Sequence, residues 1–556
     1  MSGISPFTYV PSWSDWLHIL PELCLLAAIF LTLLADLALP IRRKSWLAAI
    51  GMVGVVASAL ALVYVASIGG VPLAFYGMVS IDGVAIFSGA VILFSLGAGL
   101  LFSPGYLERQ QIKRQGEYYA LVQMSALGMM LMASAANLMM VFVGLETLSI
   151  ALYVLCALPQ TRMRAQEAGM KYFILSSFAS AFLLYGISLT YGATGTTDLT
   201  RISGFLQTHQ ALTSEGFGPL LLIGIGLLAV GFSFKVSAIP FQAWTPDVYT
   251  GAPTPVTAFM SVGTKVAAFA AVTRVFIAAL STQTFRWEPV FWVIAVLTMI
   301  GGNLLAVSQR DVKRMLAYSS IANAGYMLVA VTTASPRATA SLLIYLATYA
   351  VANVGAFGVV ALVERNDGRG TTLDDFSGLS RRNPALAAIM ALFLFSLAGV
   401  PPTAGFLGKY VVFYAAMVGG QVPLAIIGVL ASVLGMFYYL RVVWAMYFVE
   451  PRPRAVVSMP QPERELVAAG ATAAAPARDE DILSEAATEA APVDATSVEA
   501  SVEVAAAEAA EAPARILFPT GSRIALAVCA VLTALFIVVW SVIDGYAQIA
   551  AQSLLR

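Results

Sequence analysis

Histidine and cysteine are almost missing from this chain. Its 556 residues hold two histidines, His18 and His209, and three scattered cysteines, Cys24, Cys156 and Cys529. An iron–sulfur cluster usually takes four cysteines, and a bis-histidine haem needs paired histidines within the membrane. Neither can be assembled, so no cofactor-binding or metal-binding residues are expected. No G-x-x-x-x-G-K-[ST] loop is present, which argues against nucleotide hydrolysis. Charge is scarce as well. Only 11% of residues are charged, where soluble domains carry about 25%, and 31 Lys+Arg cancel 31 Asp+Glu. No nucleic-acid partner is expected. What the chain has in abundance is apolar sequence: 59% hydrophobic residues and a mean hydropathy of +0.82 make lipid its main solvent.

Segments of about 20 apolar residues span a bilayer. Fourteen can be drawn, at 16–39, 46–67, 81–103, 118–136, 138–158, 167–191, 218–239, 255–280, 289–308, 313–333, 338–363, 385–418, 422–449 and 523–545. The expected fold is therefore an all-α polytopic membrane protein. The first sixteen residues hold no base ahead of the apolar run and do not read as a signal peptide. Loops after odd-numbered spans carry Arg42, Arg43 and Lys44, then Arg109, Lys113 and Arg114, and later Arg310, Lys313 and Arg314. Loops after even-numbered spans carry only Arg201, Arg286 and Arg337. By the positive-inside rule the odd loops face the cytoplasm and both termini face the opposite side.

Residues 451–515 differ in kind. They are rich in Ala, Glu and Pro, with 12 acidic and 5 basic residues and no apolar run of spanning length. Such a segment cannot bury enough apolar surface to offset chain entropy and reads as a disordered cytoplasmic linker. A docking tail is one role for it; a tolerated insertion is the simpler one. The charge balance of the chain is thus a cancellation between this segment and a basic membrane body. A short repeat is also visible. Gly195-Thr196-Thr197-Asp198-Leu199 follows span six and Gly370-Thr371-Thr372-Leu373-Asp374 follows span eleven. An offset of five spans places the copies on opposite sides of the membrane, the pattern of inverted repeats.

Among the charges that fall within spans, four stand out: Glu146, Lys235, Lys265 and Lys409. A charge at the bilayer centre costs at least about 2.5–3.5 kcal/mol, so all four must face protein or water. Glu146 is the only mid-membrane acid able to pair with a lysine. One reading is structural: a salt bridge, with lysines capping carbonyls. The other is a proton or ion path in which buried lysines lose and regain protons. Arg274, near a span end, reads as structural, and Asp36 and Asp82 as solvated caps.

Spans seven and twelve are broken, at Pro240 after Lys235 and at Pro401-Pro402 before Lys409. Proline removes a backbone donor and clashes with the preceding turn. Breaks at membrane depth persist where backbone lines a cavity or is buried in protein. A pair of broken spans beside a pair of charges points to a transport site.

The stretches FSFKVSAIPFQAWTPDVYTGAPTPVTAFMSVGTKVAAF, QRDVKRMLAYSSIANAGYMLVAV and PPTAGFLGKYVVF closely resemble the N family of antiporter-like subunits in bacterial proton-pumping NADH:quinone oxidoreductase, respiratory complex I. The resemblance covers nearly all of the chain except 451–515. It implies three N-terminal spans over 1–117, two inverted five-helix repeats over 118–280 and 281–450, and a C-terminal span in 516–556. It also implies an inner-membrane subunit of an NADH-oxidising, quinone-reducing translocase. Its partners would be other membrane-arm subunits, including a neighbouring antiporter-like subunit, and the lipid bilayer. Flavin, iron–sulfur clusters and quinone would sit in those partners, with none in this chain. The family's charged axis falls on Glu146, Lys235, Lys265 and Lys409. Lys409 favours the N family over the related M family, which has glutamate there, and no long lateral helix of the kind found in the L family is expected beyond the last span.

The chain departs from the pattern at Asn323 and Gln242, where many relatives carry histidine. Amides hold water but carry no proton charge. Any relay there would pass through Ser319, Ser320, Asn323 and Tyr326 with water. Two alternatives share the charged spans: a subunit of a multi-subunit cation/proton antiporter, and a non-conducting membrane scaffold.

Overall fold

The computed structural model describes residues 10–40, 44–68, 73–159, 162–209, 218–365, 370–450 and 519–554. The linker expected over 451–515 lies outside them. In lipid every backbone N–H and C=O must be satisfied internally, which selects helices. The described chain accordingly folds as helices α1 (Leu20–Ala38), α2 (Trp46–Ile68), α3 (Gly83–Arg109), α4 (Gln115–Ala133), α5 (Leu138–Ala157), α6 (Met163–Thr194), α7 (Gly218–Lys235) and α8 (Thr254–Val272). They are followed by α9 (Thr284–Val307), α10 (Val312–Thr333), α11 (Pro336–Val363), α12 (Pro384–Ala398), α13 (Ala404–Val418), α14 (Val422–Phe448), α15 (Thr520–Leu535) and α16 (Trp540–Ser553). A hairpin pairs Leu73–Ala74 with Val79–Ser80, a small exception to the all-α expectation.

Eleven of these helices are long and apolar enough to cross a bilayer, or twelve if α15 and α16 count as one bent span. The count of fourteen is not fixed by these criteria. α4 falls outside them, and span twelve is divided into α12 and α13, each too short alone. The last span, expected as continuous, is bent by 89° between α15 and α16. No proline or glycine marks the bend, which falls at Phe536-Ile537-Val538-Val539. β-Branched residues weaken the helix there, and tertiary contacts fix the new direction. Ala547, Ala550 and Ala551 are buried, and Ser553 Oγ accepts from the backbone N–H of Gly83 at 2.9 Å.

The helices sort by what surrounds them. Every residue of α8 is buried, whereas α1, α2 and α14 expose Leu34, Val63 and Val433. An outer helix can be apolar on all faces because its outward face meets lipid. The buried polar residues of α8, α10 and α11 have only protein around them and must find partners there.

The short repeat has a structural counterpart. Leu138 N–H donates to Thr197 O at 2.9 Å and Leu199 N–H to Ala136 O at 3.0 Å. Val312 N–H donates to Thr371 O at 2.7 Å and Leu373 N–H to Arg310 O at 2.9 Å. The same bridge therefore ties the start of α5 to the segment after α6, and the start of α10 to the segment after α11. Leu138 and Val312, Thr197 and Thr371, and Ala136 and Arg310 are all the same number of residues apart, and so are Lys235 and Lys409.

Candidate functional site

The two breaks create the polar ends that the site uses. α7 stops at Lys235, and Ser237 has a φ of 65°. The carbonyl of Phe234, freed of its helical partner, accepts from Trp244 Nε1 at 3.1 Å. Ile239 N–H donates to Thr298 Oγ1 at 3.0 Å, and the Ile239–Pro240 peptide is cis. α12 ends on Gly399, whose φ of 87° suits a residue without a side chain. Pro401–Pro402, also cis, follows, and Gly405 N–H donates to Ser396 Oγ at 3.0 Å. A Cβ at Gly405 would lie 1.8 Å from Ser396 O, so only glycine lets the two halves of this span approach so closely.

All three lysines are buried, with Lys235, Lys265 and Lys409 exposed by 2%, 1% and 7%. Lys235 Nζ donates to Ser149 Oγ at 2.8 Å and to Tyr172 OH at 3.3 Å. Trp244, brought back by the break, stacks on Tyr172 with ring centroids 4.6 Å apart. Glu146 lies one helical turn before Ser149 on α5. Its Oε1 is buried without a protein partner, and no ion pair joins it to Lys235 among the described residues. The expected salt bridge is thus replaced by a lysine bonded to hydroxyls with the carboxylate close by. Gln242 Oε1, in the break itself, is likewise buried and unpartnered.

Lys265 occupies the centre of the bundle. Its Nζ donates to the backbone carbonyl of Ser320 on α10 at 2.5 Å. The Ser320 hydroxyl accepts from Tyr349 OH at 2.8 Å, and Asn353 Nδ2 donates to Ser261 Oγ at 2.7 Å. No direct hydrogen bond links Lys265 to Lys235 among the described residues; Trp244 and Tyr249 pack in that region, with ring centroids 6.1 Å apart.

Beyond Lys265 the polar chain continues. Asn323 Nδ2 donates to Ser319 O at 2.8 Å, and its Oδ1 accepts from Tyr345 OH at 2.7 Å. Ser319 and Tyr439 share a hydrogen bond of 2.5 Å. A cavity of about 10 Å³ touches Asn323, Tyr345, Tyr349, Ser396 and Lys409. That is close to the smallest volume that holds a water, roughly 10–15 Å³. Lys409 Nζ donates to the carbonyls of Leu397 and Ala398, both at 2.9 Å, and to Ser432 Oγ at 2.8 Å. It also lies 5.0 Å from the Tyr326 ring centroid. Tyr326 OH accepts from Asn303 Nδ2 at 3.0 Å, and Asn303 Oδ1 accepts from Tyr438 OH at 3.0 Å.

Every site residue singled out from sequence therefore lies in the interior, at a break or beside a lysine. The partners were missed: Ser149, Tyr172, Asn303, Tyr345, Tyr349, Asn353, Ser432, Tyr438 and Tyr439. Some signal existed, since Tyr345 and Tyr349 stand four apart and so share one face of α11. Glu364 at the end of α11 was also missed. It is 3% exposed, accepts from Tyr106 OH at 3.0 Å and from the Thr254 hydroxyl, and lies 3.9 Å from both Arg162 and Lys313. Arg274, read from the sequence as structural, is buried in an ion pair. Its guanidinium holds Asp82 through two bonds of 2.7 and 2.6 Å and donates to Ala133 O at 2.8 Å. Asp82 caps α3 but is buried in this pair, which corrects the expectation of a solvated cap.

Comparison with known proteins places this geometry. Residues 135–435 match the family model described as NADH:quinone oxidoreductase/Mrp antiporter, TM. A NADH-quinone oxidoreductase subunit N from Trichlorobacter lovleyi is 43% identical over 430 residues, covering 77% of this chain and 87% of the relative. A chain in the structure of respiratory complex I from Thermus thermophilus with bound aureothin is similar at 30% identity. Its TM-score is 0.70, over 94% of this chain and 98% of that one. A chain of the Mrp complex from a Dietzia species shares the fold at a TM-score of 0.76 and 21% identity, over 98% of both chains. With its broken spans, its buried lysines and this similarity over most of its length, the chain belongs to the NADH:quinone oxidoreductase/Mrp antiporter transmembrane family, on its subunit N branch.

Proposed function

We propose that this chain is a membrane-arm subunit of NADH:quinone oxidoreductase that translocates protons through Glu146, Lys235, Lys265 and Lys409. NADH oxidation and quinone reduction, with the flavin and iron–sulfur clusters they need, take place in partner subunits. The observation that carries the reading is the set of three buried lysines, each bonded to hydroxyls or carbonyls and served by neighbouring Ser, Asn and Tyr side chains. A buried ammonium needs such partners whatever its role. Hydroxyl and amide groups leading away from it supply the further hydrogen bonds that proton movement requires.

In this mechanism Glu146 favours the charged form of Lys235 by proximity. Withdrawal of that field, driven by events in neighbouring subunits, releases the proton towards Lys265. The region between the two lysines holds Trp244 and Tyr249, so water must enter there before the proton can cross. Gln242 Oε1 and Glu146 Oε1 offer acceptors for it, since buried polar atoms of this kind usually hold ordered water. From Lys265 the proton moves by Ser320, Tyr349 and Asn323 to the small cavity beside Lys409, and then out or on to the next subunit. The repeats are 118–280 and 281–450, preceded by three helices in 1–117 and followed by 516–556. The equivalent bridges at Thr197 and Thr371 support that division. The protein lies in the inner membrane with both termini periplasmic and 451–515 cytoplasmic.

The test is Lys265→Ala in the assembled enzyme. Most coupled quinone reduction and proton transport should disappear while the complex still assembles; normal coupled turnover would overturn the proposal. One observation favours a scaffold instead, because Lys409 caps the two free carbonyls at the end of α12. A scaffold would lose assembly before turnover in that variant. A cation/proton antiporter subunit would show sodium-dependent transport without NADH.

A further inference from the structure

A cavity of about 740 Å³ lies between the first turns of α11, the last turns of α13 and one face of α16. α11 starts at Pro336 and α13 ends at Val418, so both helices reach the membrane boundary at this cavity. The bend after α15 carries α16 across the helix ends, with Trp540, Asp544 and Gln548 at successive i,i+4 positions on the cavity wall. An amphipathic helix placed this way lies in the plane of the interface.

The lining is chemically graded. Arg337 and Asp544 supply one charge of each sign, from different helices. Arg337 lies 5.3 Å from the Tyr414 ring centroid, and Asp544 Oδ2 accepts from Gln548 Nε2 at 2.8 Å. The two charges make no ion pair with each other among the described residues. Tyr410, Tyr414 and Trp540 are the residue types that settle at headgroup level. Ile344, Val411 and Ala415 provide apolar wall. The volume falls within the roughly 300–1,000 Å³ of small-molecule sites.

We propose that this groove binds one phospholipid with a zwitterionic, primary-ammonium headgroup, of the phosphatidylethanolamine type. Its phosphate pairs with Arg337, its ammonium with Asp544, and an acyl chain lies along Ile344, Val411 and Ala415. Charge complementarity selects this class. Phosphatidylglycerol, anionic overall, brings Asp544 only neutral hydroxyls and no cation to balance its charge. The quaternary ammonium of phosphatidylcholine has no N–H to donate to the carboxylate. Guanidinium and phosphate match in geometry and charge.

The experiment uses the intact oxidoreductase complex in mild detergent and a phosphatidylethanolamine carrying a diazirine on its acyl chain. Phosphatidylcholine and phosphatidylglycerol with the same chain run in parallel. After photolysis, peptides from α13 and α16 are read by mass spectrometry. The ethanolamine probe should label them about tenfold more than the other two, a factor worth 1.4 kcal/mol. Arg337→Gln should lower labelling by all three probes. Asp544→Asn should abolish the ethanolamine preference and raise labelling by the glycerol probe. Equal labelling by the three lipids, no labelling at all, or a preference that survives Asp544→Asn would each overturn the proposal. Coupled turnover of each variant, measured in parallel, tests the proton path separately.

Discussion

Lys235 donates to Ser149 Oγ at 2.8 Å, and Glu146, one turn earlier on the same helix, holds a buried Oε1 with no protein partner. The lysine is therefore anchored by a hydroxyl while the carboxylate acts on it through space. The two roles separate under mutation. Ser149→Ala should remove a hydrogen bond to a charged group, worth roughly 1.5–3 kcal/mol, and loosen Lys235 while leaving its countercharge. Glu146→Gln keeps the shape and removes the field, and should lower coupled quinone reduction by about tenfold or more, a barrier change of 1.36 kcal/mol. Turnover in proton-tight membranes gives the comparison; a larger loss from Ser149→Ala would show that anchoring matters more.

Lys409 separates a proton carrier from a helix cap. Lys409→Arg retains a positive donor for the carbonyls of Leu397 and Ala398 but supplies a group that does not release its proton. Assembly, read as yield and melting temperature of the complex, should be kept, and coupled proton transport should fall severalfold. Unchanged transport would leave Lys409 as a cap.

Asn323 joins Tyr345 to Ser319 through both ends of its amide. Asn323→Ala breaks that link and strands the Tyr345 hydroxyl, a cost of about 1–3 kcal/mol for a buried polar group. It should depress turnover, whereas Asn323→His, which restores a donor and an acceptor, should retain most of it. Quinone reductase assays of the two variants at matched assembly decide the point.

Asp82 and Arg274 form a two-bond pair, exposed by 9% and 4%. Removing one partner of a buried pair costs about 3–5 kcal/mol because the other charge is left alone. Asp82→Ala should lower the thermal stability and yield of the assembled complex. Adding Arg274→Met should recover much of the loss. No recovery would mean that Asp82 stabilises chiefly through its cap on α3.

Gly405 admits no side chain, since a Cβ there would overlap Ser396 O. Gly405→Ala should prevent the two halves of the broken span from meeting and abolish assembly. A normal yield of active complex would show that the break adjusts.

The sequence alone determined the class of structure and the axis of charge. Spans of apolar residues can only be helices in lipid, and the cost of stranding Glu146, Lys235, Lys265 and Lys409 forces them inward whatever the packing. Prolines at 240, 401 and 402 marked the breaks, because a missing donor is visible in a string of letters. The tertiary structure decided everything that depends on which faces meet. It chose hydroxyls rather than a carboxylate for Lys235, turned Asp82 from a solvated cap into the partner of Arg274, and gathered Tyr345, Tyr349 and Tyr439 around Asn323. It also bent the last span where no proline or glycine announced it. Partners of buried polar groups come from helices distant in the chain, and local sequence carries no record of which helix lies beside which.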